Sequence, residues 1–311
     1  MLGASYRAAL ITARNAGRER KLIRTIFNFG GSDDERRRLL FDGALLFSSA
    51  TPATTALTQH AQELVQEAFG DIDPLHAQEQ LEVERFIELV GPLKTRFTNG
   101  DTTKQLVRDY MVSLGMNLKD TYFDVPRLRI VPHSGYLTAG VSYAYKAHRD
   151  QWYGGPWQQL NYWMPVWPVT TENAMVMYPL RWDRPCENSS GDFDYDEWTN
   201  VHRPAATKQV TTDTRKHPLP LEELPTSEEL RFAAEPGDVL IFAGAQLHAT
   251  APNLSDSTRF SIDFRTVSLD DLEQGRGAPN IDSAAKGTTL IDYLRADDFK
   301  PLERDRLPAL R

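Results

Sequence analysis

The sequence predicts an α+β fold in which helices come first and a β-sandwich or jelly roll follows. Three observations carry this. Up to about residue 120 apolar residues recur at helical spacing, with acidic or hydroxyl residues ahead of the runs and glycine behind them. From about 121 the texture changes to short segments rich in β-branched and aromatic residues, broken by glycine and proline. No Gly/Ser- or Pro-rich linker divides the two textures, so one domain over 1–311 is expected. In that reading 1–120 is a mainly helical N-terminal buttress and 121–270 the jelly-roll core.

Asp33 and Asp34 precede ERRRLLFDGALLF, an acidic helix start. TPATTALTQHAQELVQEAFG follows, with Thr54 or Thr55 as cap and Gly70 as stop. DIDPLHAQEQLEVERFIELVG reads as a further helix with Pro74 in its first turn and Gly91 at its end, and TTKQLVRDYMVSLGM as another. Strands are expected in YFDVPRLRIVP, GYLTAGVSYAYKAH, WQQLNYWMPVWPV, AMVMYPL, LRFAAE, DVLIFAG and TRFSIDFRTVSL. Residues 181–227 form a long polar section holding Trp182, Phe193, Tyr195 and Trp198. A connection of that length with scattered aromatics reads as a lid inserted in the core. IDSAAKGTTLIDYLRADDF, about 280–299, reads as a C-terminal helix.

Composition narrows the function classes. A formal net charge of -8 leaves no basic surplus for phosphates, which argues against nucleic-acid or anionic-membrane partners. The clusters RERK near the start and ERRR at 35–38 are each balanced by nearby acids. A single cysteine, Cys186, rules out an internal disulfide and fits a reducing compartment. Its polar surroundings lack a feature that would activate a thiol. The N-terminal run lacks the charge-first order of a secretory signal, and no apolar run approaches the ~20 residues that span a bilayer. A cytoplasmic protein acting on a small molecule is expected; oligomeric state is not readable.

The chemistry concentrates between Tyr143 and Trp167, with one distant partner. His148 and Asp150 bracket a single residue, so a strand running into a turn can aim both at one ion. His248 follows the strand-like DVLIFAG and would be the third ligand. Two histidines and a carboxylate on one face of a metal leave the opposite positions free, the ligand set of non-haem iron(II) oxygenases. The other histidines (His60, His76, His133, His202 and His217) read as surface or hydrogen-bonded residues. Period-two geometry places Phe260, Ile262 and Phe264 on one face of RFSIDFR and Arg259, Ser261, Asp263 and Arg265 on the other. The polar face is either solvent-exposed or the lining of a cavity around the metal, where a guanidinium fork would receive a carboxylate. In WQQLNYWMP, Gln159, Asn161 and Trp163 share a face, and Leu160, Tyr162 and Met164 share the other.

Taken together, His148-x-Asp150, then His248, then Arg259 eleven residues on, resembles the iron(II)- and 2-oxoglutarate-dependent dioxygenases, most of all their phytanoyl-CoA dioxygenase-like branch. NYWMPVW and TENAMVMYP match that branch's tryptophan-bearing strand and its Glu-Asn-Gly turn, with Ala174 replacing the glycine. Thr250 and Pro252–Asn253 match the residues after its distal histidine. The likeness covers roughly 121–270. It implies a double-stranded β-helix, a cupin-like jelly roll. It further implies that His148, Asp150 and His248 bind Fe(II), and that Arg259, assisted by Thr250 and near Trp163, holds the distal carboxylate of 2-oxoglutarate. Gln159 and Asn161 belong to the same polar wall. O2 would be the co-substrate, with succinate and CO2 released.

Arg265 is an extra positive group that either holds a substrate carboxylate or pairs with Asp263. Trp152, Tyr153, Trp157 and the 181–200 aromatics are candidate substrate walls, with structural packing the alternative. Because Asp150 is present where related halogenases carry a small residue, hydroxylation, desaturation or ring closure is favoured over halogenation. The expected substrate is a small polar metabolite of an amino-acid-like kind, drawn from natural-product biosynthesis. Two other classes stay open: a metal- or ligand-binding jelly roll without catalysis, and a zinc hydrolase on the same ligands.

Overall fold

The computed structural model describes residues 7–12 and 22–303. The N-terminal run read for targeting and the RERK cluster lie, for the most part, outside the described residues. The fold is a mixed α/β arrangement with one large, mostly antiparallel sheet. In chain order it comprises β1 (Arg7–Thr12), β2 (Leu22–Phe27), α1 (Asp33–Phe41), β3 (Leu45–Ser48), α2 (Pro52–Phe69), α3 (Val83–Asn99) and α4 (Asp101–Ser113). After these come β4 (Thr121–Phe123), β5 (Arg127–Val131), β6 (Leu160–Pro165), β7 (Met175–Met177) and the one-turn α5 (Tyr195–Glu197). β8 (Leu230–Arg231), β9 (Val239–Ala243), β10 (His248–Thr250), β11 (Arg259–Ser268), α6 (Leu269–Gln274) and β12 (Leu294–Arg295) complete it.

The large sheet runs β1-β2-β3-β9-β6-β11-β4-β12, with β5 also on β11; β2–β3 is its parallel pair. A small sheet, β10-β7-β8, faces it. Alternation decides what each side of the large sheet touches. Leu160, Tyr162 and Met164 of β6 and Phe260, Ile262 and Phe264 of β11 point towards the helices. There they meet Leu57, Ala61 and Val65 of α2, Phe86, Val90 and Phe97 of α3, and Val107 and Tyr110 of α4. Tyr162 stacks on Phe264 with ring centroids 4.8 Å apart, and Tyr110 sits edge-on to both. On the opposite side Leu45, Trp163, Leu240 and Phe242 pack against Met175, Met177 and Phe232 around the small sheet. Helices, large sheet and small sheet thus form three layers, and the polar faces of β6 and β11 open between the two sheets.

Several expectations are corrected here. The 1–120 region is not helix alone: β1, β2 and β3 extend the large sheet. α2 is capped by Thr51, which exchanges hydrogen bonds with Thr54 as a capping box, rather than by Thr54 or Thr55 themselves. α3 starts at Val83, not near Pro74, and runs through Gly91 and Pro92. The apolar stripe Phe86, Val90, Leu93 and Phe97 outweighs the two breakers, because it is buried along its whole length. GYLTAGVSYAYKAH contains no strand; it turns through Gly140–Ser142. Gly140 sits at φ +57°, where the carbonyls of Ala206 and Gln209 crowd the position a Cβ would take. Residues 280–299 form a single 3-10 turn, Thr289–Asp292, and β12 instead of a helix. There Leu290 and Tyr293 reach a separate core under β4, and the strand pairing with β4 supersedes helical spacing.

Among the described residues no helix is long and apolar enough to cross a membrane.

Candidate metal centre and its cavity

His148 and His248 face each other as an antiparallel bridge, each backbone N–H donating to the other's carbonyl at 2.9 Å. A directly paired position puts both side chains on one face. Alternation then turns Arg149 the opposite way, into the interior, where it bonds Asp282, Arg181 O and Ala245 O. Asp150 comes back to the histidines' side as the chain enters the 3-10 turn Asp150–Tyr153. The turn closes with Gly155, whose N–H donates to Asp150 O at 3.0 Å; a Cβ there would press on that carbonyl at 2.8 Å. One donor atom from each of His148, Asp150 and His248 lies within 4.8 Å of the others, and all three residues are buried.

Tautomers follow from the hydrogen bonds. His148 Nδ1 donates to Lys146 O at 2.7 Å and His248 Nδ1 to Gln246 O at 2.9 Å. In the neutral tautomer these bonds select, each Nε2 carries the lone pair, and the two Nε2 atoms face Asp150 Oδ1 at 3.5 and 3.9 Å. Burial, reinforced by His148, pulls His248 down to about 4, so its ring is neutral at physiological pH. Burial would raise the Asp150 carboxyl, but the Arg265 guanidinium beside it holds it well below the ordinary range. Its Oδ2 receives Gln159 Nε2 and Asn161 Nδ2 at 2.6 Å each and Arg265 Nε at 3.1 Å. That leaves Oδ1 as the free oxygen. Two imidazole nitrogens and one oriented carboxylate oxygen on a common face fit a divalent ion that takes N and O ligands.

The centre opens into a cavity of about 380 Å³, within the range of small-molecule sites. Arg259 lines it from β11. Its Nη1 donates to Asn173 O at 2.9 Å, its Nε has no partner among the described residues, and its guanidinium lies 6.0 Å from the Trp163 ring. Burial lowers it to about 10, which still leaves a cation at neutral pH. A buried guanidinium with an unmatched donor is a receptor for a carboxylate, so the chain also fits the keto-acid. Thr250 and Trp163 line the same cavity.

Other expected site residues are reassigned by their contacts. Gln159 and Asn161 line the cavity, yet each donates to Asp150, and Gln159 Nε2 donates to Asn161 Oδ1 as well. Arg265 pairs with Asp150 and with Asp124 Oδ2 at 3.0 Å; Asp263 is more distant at 3.9 Å. Its charge is thus already shared between carboxylates of the protein, with Asp150 among them. Trp152 is wholly buried behind the centre, its Nε1 donating to Asp282 at 2.7 Å, and is no substrate wall. Trp157 is exposed and away from the cavity. Tyr153 does line it, with its ring edge-on to His148 at 5.0 Å and its hydroxyl 3.2 Å from His217 Nδ1.

The cavity also holds residues that sequence reasoning did not assign. Lys94 reaches it from α3, and Arg129 from β5 lies over the Tyr145 ring at 5.0 Å while pairing with Asp263. Tyr143 stacks on His217 at 3.7 Å, and Arg203 and Arg215 come from the 181–227 section, which also brings in Trp198, one of the expected wall aromatics. Alternation in RLRIV could have flagged Arg129; nothing local marks Lys94, which sits in an amphipathic helix among other charges.

No family model matches the sequence, and no curated protein matches it either. Solved structures do show similarity. EvdO2 from Micromonospora carbonacea var. aurantiaca, complexed with 2-oxoglutarate, is 16% identical with a TM-score of 0.44, over 76% of this chain and 92% of that one. The non-heme monooxygenase ThoJ is 15% identical with a TM-score of 0.37, over 71% and 72%. SnoN, a non-heme alpha ketoglutarate dependent epimerase from nogalamycin biosynthesis, is 14% identical with a TM-score of 0.36, over 90% and 100%.

Proposed function

We propose that this chain is an Fe(II)- and 2-oxoglutarate-dependent oxygenase of small molecules, built as one domain on a double-stranded β-helix. The observation that carries the reading is a pairing within one cavity. Two Nε2 lone pairs and one carboxylate oxygen converge at its base, and Arg259 keeps an unpaired donor in its wall. His148, Asp150 and His248 would hold the ion, and Arg259 with Thr250 the distal carboxylate of the keto-acid. With metal and keto-acid bound, the site supplies O2 activation coupled to decarboxylation of the keto-acid.

The rest is the work of the chain's own residues. Gln159, Asn161 and Arg265 fix which Asp150 oxygen faces the metal. Tyr145, Tyr153 and Trp198 wall the cavity and keep water from the reacting carbon, with the 181–227 section as its cover. Hydroxylation, desaturation or ring closure of an unactivated C–H is the expected outcome, in a cytoplasmic setting. The amino-acid-like substrate loses its basis, since Arg265 and the amide face serve Asp150. A zinc hydrolase on these ligands would leave Arg259 without a task.

The test is anaerobic addition of Fe(II) and 2-oxoglutarate, read as the weak visible charge-transfer band of a chelated keto-acid. Metal binding without that band would reject the reading in favour of a hydrolase or a non-catalytic binder.

A further inference from the structure

Lys94 has no part in the metal centre, yet α3 brings it into the same cavity. Among the described residues its one hydrogen bond goes to Val141 O, in the Gly140–Ser142 turn; Lys94 sits on α3, whereas Arg259 sits on β11. The remaining lining cations all have carboxylates. Arg127 and Arg265 share Asp124, Arg129 has Asp263, Arg203 has Asp292, and Arg215 has Asp213. Arg259 and Lys94 are left with a backbone carbonyl each. The keto-acid accounts for the first, and the second is unaccounted for.

We propose that Lys94 anchors an acidic group, a carboxylate or a phosphate, on the substrate that occupies this cavity. The proposal rests on the oxygenase reading for the identity of the cavity. A lysine is a compact charge with rotatable donors, suited to an anionic oxygen whose position varies with the substrate. The charged neighbours it faces are Arg129, Arg215 and Arg127 as cations and Asp263 as the anion, so the local balance is positive. Burial, with Arg129 adding to it, pulls the ammonium down to about 7. An incoming anion relieves both effects and restores the charge. The bland alternative is that Lys94 only ties α3 to the Gly140–Ser142 turn.

The experiment uses anaerobic full-length protein with Fe(II) and saturating 2-oxoglutarate, which fills the Arg259 site. Benzoate, phenyl phosphate and the neutral benzamide are then titrated by calorimetry at pH 6.5. The wild type is expected to prefer an acid over the amide at least tenfold, Lys94→Met to lose that preference, and Lys94→Arg to keep most of it. Tighter benzoate points to a carboxylate, and tighter phenyl phosphate to a phosphate. Equal binding of the three probes, no acid binding, or a preference that survives in Lys94→Met would each overturn the proposal. Should Lys94→Met not fold, ¹³C-methylated wild type is titrated instead, with Lys94→Arg identifying the signal. Acid must then raise the Lys94 pKa, and an unmoved pKa would reject the idea. The charge-transfer band, recorded first, separates the two readings: its absence rejects the oxygenase, whereas its presence without acid preference rejects only the anchor.

Discussion

β11 carries an arginine at its start and another past its middle, on the same face, in opposite circumstances. Arg265 is enclosed by Asp150 and Asp124, and its burial is offset by charges it was folded against. Arg259 has one carbonyl and an unpartnered Nε. The first guanidinium completes a network internal to the protein, and the second keeps its capacity for something that arrives later. Identical residue types on one strand therefore do different work, and the discriminator is whether a carboxylate already lies within reach.

The sharpest way to break this comparison is to remove Arg265. Arg265→Met leaves Asp150 buried without its guanidinium partner, while Asp124 keeps Arg127, and should cost about 3–5 kcal/mol in urea unfolding. A stable variant would mean that the network contributes little. Arg259→Met should do the reverse: stability unchanged or slightly raised, with 2-oxoglutarate affinity reduced about 100-fold for the lost charge-assisted bonds. Titration of the charge-transfer band reads this, and equal affinities would remove Arg259 from the site. Next in size, Gln159→Ala or Asn161→Ala should weaken metal binding about 10- to 100-fold by releasing Asp150 Oδ2. Competition against a chromogenic chelator measures it.

The smallest effect concerns Lys94 and pH. Its folded pKa of about 7 lies below the ordinary 10.5, so between these values the unfolded chain binds more protons than the folded one. Stability from this group therefore rises as pH climbs from about 7 towards 10. The melting temperature of the wild type, relative to Lys94→Met, should increase over that window. A flat difference would show an ammonium in contact with water.

Much of the cavity was readable because strand alternation is a local rule. Period two predicted which residues of β6 and β11 share a face, and those faces do line the cavity. It also explains why His148 and Asp150 turn the same way while Arg149 turns inwards. The helical region was less legible. Gly91 and Pro92 look like a stop, yet α3 passes through them because its buried stripe continues on the far side. The strand expected over 135–148 fails on Gly140, whose left-handed backbone is crowded by the carbonyls of Ala206 and Gln209, far along the chain. The C-terminal segment was misread as a helix because its partner, β4, is remote in sequence.

The sequence by itself determined the residue types of the metal centre, the alternation that groups them, and the change from helical to strand texture near 121. Only the tertiary structure decided which charges meet. Ion pairing depends on distances across layers, and no local pattern states that Arg265 finds two carboxylates while Arg259 and Lys94 find none among the described residues.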